Sequence, residues 1–257
     1  MSYLTAENVI VVPLDAQNNP DYLNLLINKN SEQVTMPASL TKVLSTVVAL
    51  ESKININEIF NVIDEDVVSG SGYNLQDGDQ VSLIDLLHNM MLPSSNTAAN
   101  CVARVLGERM GGDRQTFVEA MNVKALSIGM KNSKFFNPSG LAHGKQLSTP
   151  IDLAKLGVYA CQNLVMQDIW SKSEYKMKVL GVNPRVEKIK TSVMAIQDQE
   201  FWALGGKTGS LGDLYNIILY FQLKDGRKAL AVTARSSSSD GRALDSQIIA
   251  KYCNELL

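Results

Sequence analysis

Ser39-Leu40-Thr41-Lys42 sets a hydroxyl and an amine three residues apart. On a helix, positions i and i+3 share a face, so the amine can reach the hydroxyl and take its proton. Val43, Leu44, Val47 and Val48 follow directly. An ammonium among such residues loses hydration, which disfavours its charged form and brings a neutral amine within reach near neutral pH. If the helix opens at Pro37, the N–H of Ser39 is one of the first four, which lack an intrahelical acceptor, and it can meet an oxyanion. The spacing alone is weak, since about one SxxK is expected by chance in a chain of this length. Ser173-Glu174-Tyr175-Lys176 is a second, set in a polar stretch that reads as surface.

Acyl transfer needs more than a nucleophile and a base. Ser94-Ser95-Asn96 offers a hydroxyl for proton relay and an amide that can bond both a lysine and a substrate peptide group. Its plainer reading is an N-cap for a helix opening at Thr97. Lys207-Thr208-Gly209 supplies a lysine and a threonine able to hold a carboxylate, and a glycine that lets a substrate backbone come close. A solvated turn is the alternative, and Lys190-Thr191-Ser192 is a decoy without the glycine. Other chemistries drop out. Gly206-Lys207-Thr208 lacks a phosphate loop's leading glycine, because Phe201 stands there, and neither HExxH nor GxSxG occurs. A serine–histidine triad would have to use His88 or His143, each of which reads equally well as ordinary polarity.

The elements that would position these residues follow from pattern. Asn8 to Leu14 is a β-branched run and reads as a strand; Pro37 to Glu51 reads as a largely buried helix. Helices are expected over Leu83–Leu92, Thr97–Leu106 and Arg114–Leu126, with another opened by Pro150. Tyr215–Leu223 and Lys228–Ala234 flank Lys224-Asp225-Gly226-Arg227 as a hairpin, and Lys207-Thr208-Gly209 precedes that strand pair at the edge of the sheet. A last helix carries Leu244, Ile248, Tyr252 and Leu256 on one stripe. A sheet built from both termini around a helical insertion is the expected architecture, α+β in class.

At 257 residues, 45% apolar and 19% charged, the chain has the make-up of one enzyme-sized globular unit. A net charge of -2 provides no basic field for phosphates, which argues against nucleic acid as a partner. The three cysteines, Cys101, Cys161 and Cys253, show no metal or disulfide spacing and read as packing residues. No apolar stretch is long enough to span a bilayer, and Met1-Ser2-Tyr3-Leu4 lacks a basic and apolar leader.

SxxK, SxN and KTG in this order resemble the signature of penicillin-recognising serine acyl enzymes, in particular the serine D-alanyl-D-alanine carboxypeptidases, or low-molecular-mass penicillin-binding proteins. Asn137-Pro138-Ser139-Gly140-Leu141 and the stretch from Ser148 to Ala154 resemble that family too. The resemblance covers roughly residues 36 to 155 and 204 to 250. It implies a two-lobed β-lactamase/DD-peptidase-like fold: a sheet-plus-helix lobe from residues 1–35 and 180–257, an all-helical lobe from 36–179, and the site in the cleft between them. Carried over by residue, Ser39 attacks the penultimate D-alanine carbonyl, Lys42 takes its proton, and Ser94 with Lys207 protonates the leaving D-alanine. Asn96 orients Lys42 and the substrate amide, Ser39 and Ser210 N–H groups form the oxyanion hole, and Thr208 binds the substrate carboxylate beside Gly209. No metal or organic cofactor is implied. The implied partners are peptidoglycan peptides ending in D-Ala-D-Ala and, covalently on Ser39, β-lactams.

The implied location is extracytoplasmic, with a leader upstream of Met1 and no membrane anchor; a cytoplasmic location stays open. Lys131 to Gly140 contains no acidic residue to activate a deacylating water, which tilts the reading to a carboxypeptidase. A β-lactamase or esterase on the same fold, or a non-catalytic penicillin-sensing module, are the alternatives. Arg235 and Arg242 are candidate carboxylate binders or plain surface charge.

Overall fold

The computed structural model describes residues 3–193 and 201–255. β1 (Asn8–Leu14) lies one strand in from the edge of an antiparallel sheet that continues through β2 (Ile27–Lys29), β7 (Phe201–Leu211), β8 (Leu214–Leu223) and β9 (Lys228–Ser236). The strand order is β2-β1-β9-β8-β7. Near-continuous apolar sequence in β1, β8 and β9 means that both faces of this sheet are covered. Alternate residues divide accordingly. Val9, Val11, Ile217, Leu219 and Phe221 pack with Ile249, Ala250 and Cys253 of α7 (Ser239–Glu255), while Ile10, Val12, Ile218, Leu230 and Val232 join the core under the helices.

Those helices are α1 (Thr41–Glu51), α2 (Leu83–Met91), α3 (Asn96–Arg109), α4 (Arg114–Ser127), α5 (Pro150–Cys161) and α6 (Leu164–Ser171). Their starts are encoded locally: Ser82, Ser95, Asp113, Thr149 and Asn163 each accept a first-turn N–H, and Pro150 occupies the first position of α5. Cys101, Cys161 and Cys253 are free and buried.

Two expectations need correction. The 36–179 segment is not free of strands: β3 (Ile59–Asn61), β4 (Asp79–Ser82), β5 (Glu174–Gly181) and β6 (Arg185–Lys190) form a second antiparallel sheet. The lobe boundary near residue 180 cuts its β5–β6 hairpin. β3 and β4 are too short to show a period, and β5 buries only Met177 and Val179, which alternate with exposed Lys176 and Lys178. Nor does α5 belong to the helical side alone, since a Cβ on Gly157 would lie 2.8 Å from Leu230 of β9.

The second correction concerns α7. Leu244 is exposed, Ile248 and Tyr252 are only partly buried, and Leu256 falls outside the described residues. The buried face carries Arg242, Asp245, Ser246, Ile249 and Cys253 instead. Polar side chains can occupy it because they are bonded: Asp245 accepts from the Thr5 N–H and from the Thr5 and Ser236 hydroxyls, at 2.6–2.8 Å.

Candidate active site

Three stretches of chain meet beside β7, the edge strand of the large sheet. The first is the entry to α1. Ala38 takes φ 49°, a sparsely allowed region for a residue with a Cβ. One 3-10 turn, Ala38–Leu40, then leads into α1 and leaves Ser39 half-buried, so the helix expected from Pro37 starts with a tighter turn. Gly140 is what lets the loop before α5 close on it, because a Cβ there would sit 1.8 Å from the Ala38 carbonyl oxygen.

Lys42, in the first turn of α1, is fully buried. Its Nζ lies 3.0 Å from Ser39 Oγ, 2.8 Å from Asn96 Oδ1 and 2.6 Å from the Ser139 carbonyl oxygen. None of these neighbours is charged. Burial pushes its pKa well below the ordinary lysine value, and the positive charge of Lys207 lowers it further. A neutral amine has two protons and one lone pair. It can donate to Asn96 and Ser139 and accept the Ser39 hydroxyl proton, which is the arrangement a general base requires.

The second stretch is Ser94-Ser95-Asn96. Here the cap and the site are separate residues of one motif: Ser95 Oγ accepts from the Ala98 N–H at 3.2 Å and caps α3, while Asn96 reaches Lys42. Ser94 has φ 69°, and its buried Oγ has no hydrogen-bond partner among the described residues. A buried hydroxyl left unpaired in a strained residue is costly, and such groups concentrate where a substrate supplies the missing partner.

Lys207-Thr208-Gly209 lies inside β7, not in a turn ahead of it, although the edge position is as expected. Lys207 is fully buried and donates to the Thr208 carbonyl at 2.7 Å. Burial, and then the charge of Arg242, pushes its pKa down to about 7. A Cβ on Gly209 would lie 3.2 Å from the Ser39 nitrogen and 3.0 Å from the Pro37 oxygen, so this strand sits directly against the turn that presents Ser39. Thr208 Oγ1 is 2.6 Å from Ser192 Oγ. Ser210 is exposed, and its Oγ accepts from Arg242 Nη1 at 3.2 Å.

The two arginines part company. Arg242 is 8% exposed and also donates to the Gly209 and Asn216 carbonyls, both at 3.3 Å, so it braces β7 from behind. Arg235 is partly buried and paired with Glu7. Ser139 and Asn216 were not candidates from sequence. The Ser139 contribution is a carbonyl, which no residue type announces. Asn216 donates to the Met36 carbonyl at 2.9 Å and so ties β8 to the chain entering α1. Neither histidine joins the site: His88 stacks on Tyr175 and His143 on Phe136. Among the described residues no group of His, Cys, Asp or Glu could hold a metal ion.

A half-buried hydroxyl, an amine of strongly lowered pKa beside it, an unpaired second hydroxyl and a second low-pKa lysine can together perform acyl transfer through an ester intermediate. Comparison with known proteins points the same way. A family model described as D-alanyl-D-alanine carboxypeptidase matches residues 5–219. A D-alanyl-D-alanine endopeptidase of Haemophilus influenzae is 28% identical over 212 residues, covering 81% of this chain and 70% of that protein. A D-alanyl-D-alanine carboxypeptidase of Streptomyces sp. is 25% identical over 237 residues, covering 88% and 81%. Against other relatives the match spans only about half of their length, 48% for one from Pseudomonas aeruginosa. Among solved structures, the Streptomyces K15 DD-transpeptidase shares the α+β fold with a TM-score of 0.88 at 24% identity, covering 99% of this chain and 98% of that one.

Proposed function

This chain belongs to the D-alanyl-D-alanine carboxypeptidase family, and from that membership we propose that it is a serine acyl-transfer enzyme whose nucleophile is Ser39 and whose substrates are peptidoglycan stem peptides ending in D-Ala-D-Ala. The observation that carries the assignment of roles is the 3.0 Å contact of Ser39 Oγ with an Nζ that meets only uncharged partners.

Lys42 takes the Ser39 proton as Oγ attacks the penultimate D-alanine carbonyl. The negative charge that develops on the carbonyl oxygen is met by the N–H groups of Ser39 and Ser210, which lie on the two sides of the contact between the α1 entry and β7. Collapse breaks the peptide bond. The leaving amine takes a proton through the Ser94 hydroxyl, supplied from the lysine pair of Lys42 and Lys207. The terminal carboxylate is held by Thr208, next to the cationic Arg242. Water, activated by the same base, then attacks the ester, frees the acyl peptide and restores Ser39. A β-lactam follows the first half of this path: its ring opens onto Ser39, but the amine stays tethered, so the adduct persists.

Such peptides lie outside the cytoplasmic membrane, and that is where the enzyme acts in this reading. No helix among the described residues is long and apolar enough to cross a membrane. Curated relatives include both carboxypeptidases and endopeptidases, whose reactions share the acyl-enzyme and differ in the amine released. Incubation with a pentapeptide ending in D-Ala-D-Ala and with a cross-linked peptide dimer tests the assignment: the expected result is free D-alanine from the first. Cleavage of the dimer alone would make the enzyme an endopeptidase, and two intact substrates would refute the reading.

A further inference from the structure

The Thr208 hydroxyl is not alone. Ser192 Oγ lies 2.6 Å from it, brought there by the chain that leaves β6. Ser192 is exposed, whereas Thr208 is 8% exposed, so the pair forms a short polar chain running from solvent to the strand that abuts Ser39. A threonine hydroxyl has one proton. To bind a carboxylate it must donate that proton outward and take whatever other partner it has as a donor. Ser192 can be that donor.

Resting on the function proposed above, we infer that Ser192 is a positioning residue for substrate recognition: it donates to Thr208 Oγ1, fixes the Thr208 hydroxyl with its proton aimed at the terminal carboxylate, and so sets the preference for substrates with a free carboxyl end. Donation from Ser192 also polarises the Thr208 O–H, which strengthens the bond that the second hydroxyl makes to an anion. With the donor removed, the Thr208 hydroxyl is free to rotate, and part of its population turns its proton away from the carboxylate. Lys190-Thr191-Ser192 thus contributes through its serine, and the lysine and threonine that made it look like a copy of the second lysine motif have no part in this contact.

The readout is a ratio, which a general loss of folding or of chemistry would not move. kcat/KM is measured for a D-Ala-D-Ala peptide with a free carboxyl end and for the same peptide amidated there, in the wild type, Ser192→Ala, Ser192→Thr, Thr208→Val and the Ser192→Ala/Thr208→Val double variant. Ser192→Ala is expected to lower the carboxylate-to-amide ratio about three- to tenfold, the effect of one orienting hydrogen bond, chiefly through KM. Ser192→Thr, which keeps the hydroxyl, is expected to restore most of the ratio. In the Thr208→Val background Ser192→Ala is expected to add almost nothing. An unchanged ratio in Ser192→Ala, or losses that add fully in the double variant, would overturn the inference. If the wild type cleaves neither peptide, the function proposed above fails; Ser192 is then judged on the acylation rate with benzylpenicillin against its methyl ester, where the same loss of ratio is expected and its absence is fatal.

Discussion

Buried charge is handled in two ways in this molecule. In and around the helical lobe three buried carboxylates meet cations: Asp66 accepts from Arg104 and Arg114, Asp79 from Arg185, and Asp152 from Lys155. These pairs tie the loop between β3 and β4 to α3 and α4, join β4 to β6, and brace the first turn of α5. At the cleft, Lys42 and Lys207 are as deeply buried, yet neither has a carboxylate within ion-pair distance among the described residues; both are met by neutral oxygens. A carboxylate bonded to a cation on another element ties the two together and holds the fold. A buried amine without a counter-ion has its pKa pushed down, which makes its neutral, reactive form easier to reach. The difference sets the two cleft lysines apart from the paired carboxylates of the scaffold.

The contrast can be broken most forcefully at Lys42. Lys42→Met is expected to reduce acylation of Ser39 by about 10²–10⁴-fold, the span of a lost general base, while the unfolding midpoint stays level or rises because a buried amine has been replaced by an apolar chain. Acylation is read as the rate of adduct formation by mass spectrometry and stability by thermal melting. Asp66→Asn should do the reverse. It leaves two arginines facing an uncharged group and is expected to cost about 3–5 kcal/mol in denaturant unfolding, with the acylation rate of the folded fraction close to that of the wild type.

Lys207 sharpens the comparison through pH. Its folded pKa of about 7 lies below the value near 10.4 of an unfolded lysine. Between these two pH values the unfolded chain binds more protons, so this group makes stability climb as pH rises. Lys207→Met is expected to raise stability at pH 7 by on the order of a few kcal/mol and to flatten that climb; unfolding curves at several pH values are the check. The smallest effect is expected at Arg242, whose charge helps to hold the Lys207 pKa down. Arg242→Gln removes that repulsion and should raise the Lys207 pKa, moving the alkaline limb of the acylation profile to higher pH. An unmoved limb would mean that Lys207 does not govern it.

How much of this was legible in the sequence depended on what kind of signal carried it. Helix starts at Ser82, Ser95, Thr149 and Pro150 are local, and β1, β8 and β9 are continuous apolar runs, so these elements could be read directly. The second sheet could not, because three- and four-residue strands have no period and β5 shows lysines on its open face. In α7 hydrophobicity points to the wrong stripe, because Asp245 and Arg242 are buried through partners distant in sequence. The same limit applies at the cleft. Ser39, Lys42, Ser94, Asn96 and Lys207 were visible because their side chains have distinctive chemistry. The Ser139 carbonyl, the Asn216 tether and the Ser192–Thr208 contact depend on three-dimensional closure alone.

Uncharged Lys42 activating Ser39 is the claim on which the rest stands, and acylation by benzylpenicillin, followed across pH with the modified residue mapped by peptide mass spectrometry, tests it most directly. The account predicts a single adduct on Ser39 that forms at neutral pH and ever more slowly as the medium becomes acidic and Lys42 is protonated. An adduct on any other residue, or a rate indifferent to acid, would contradict it.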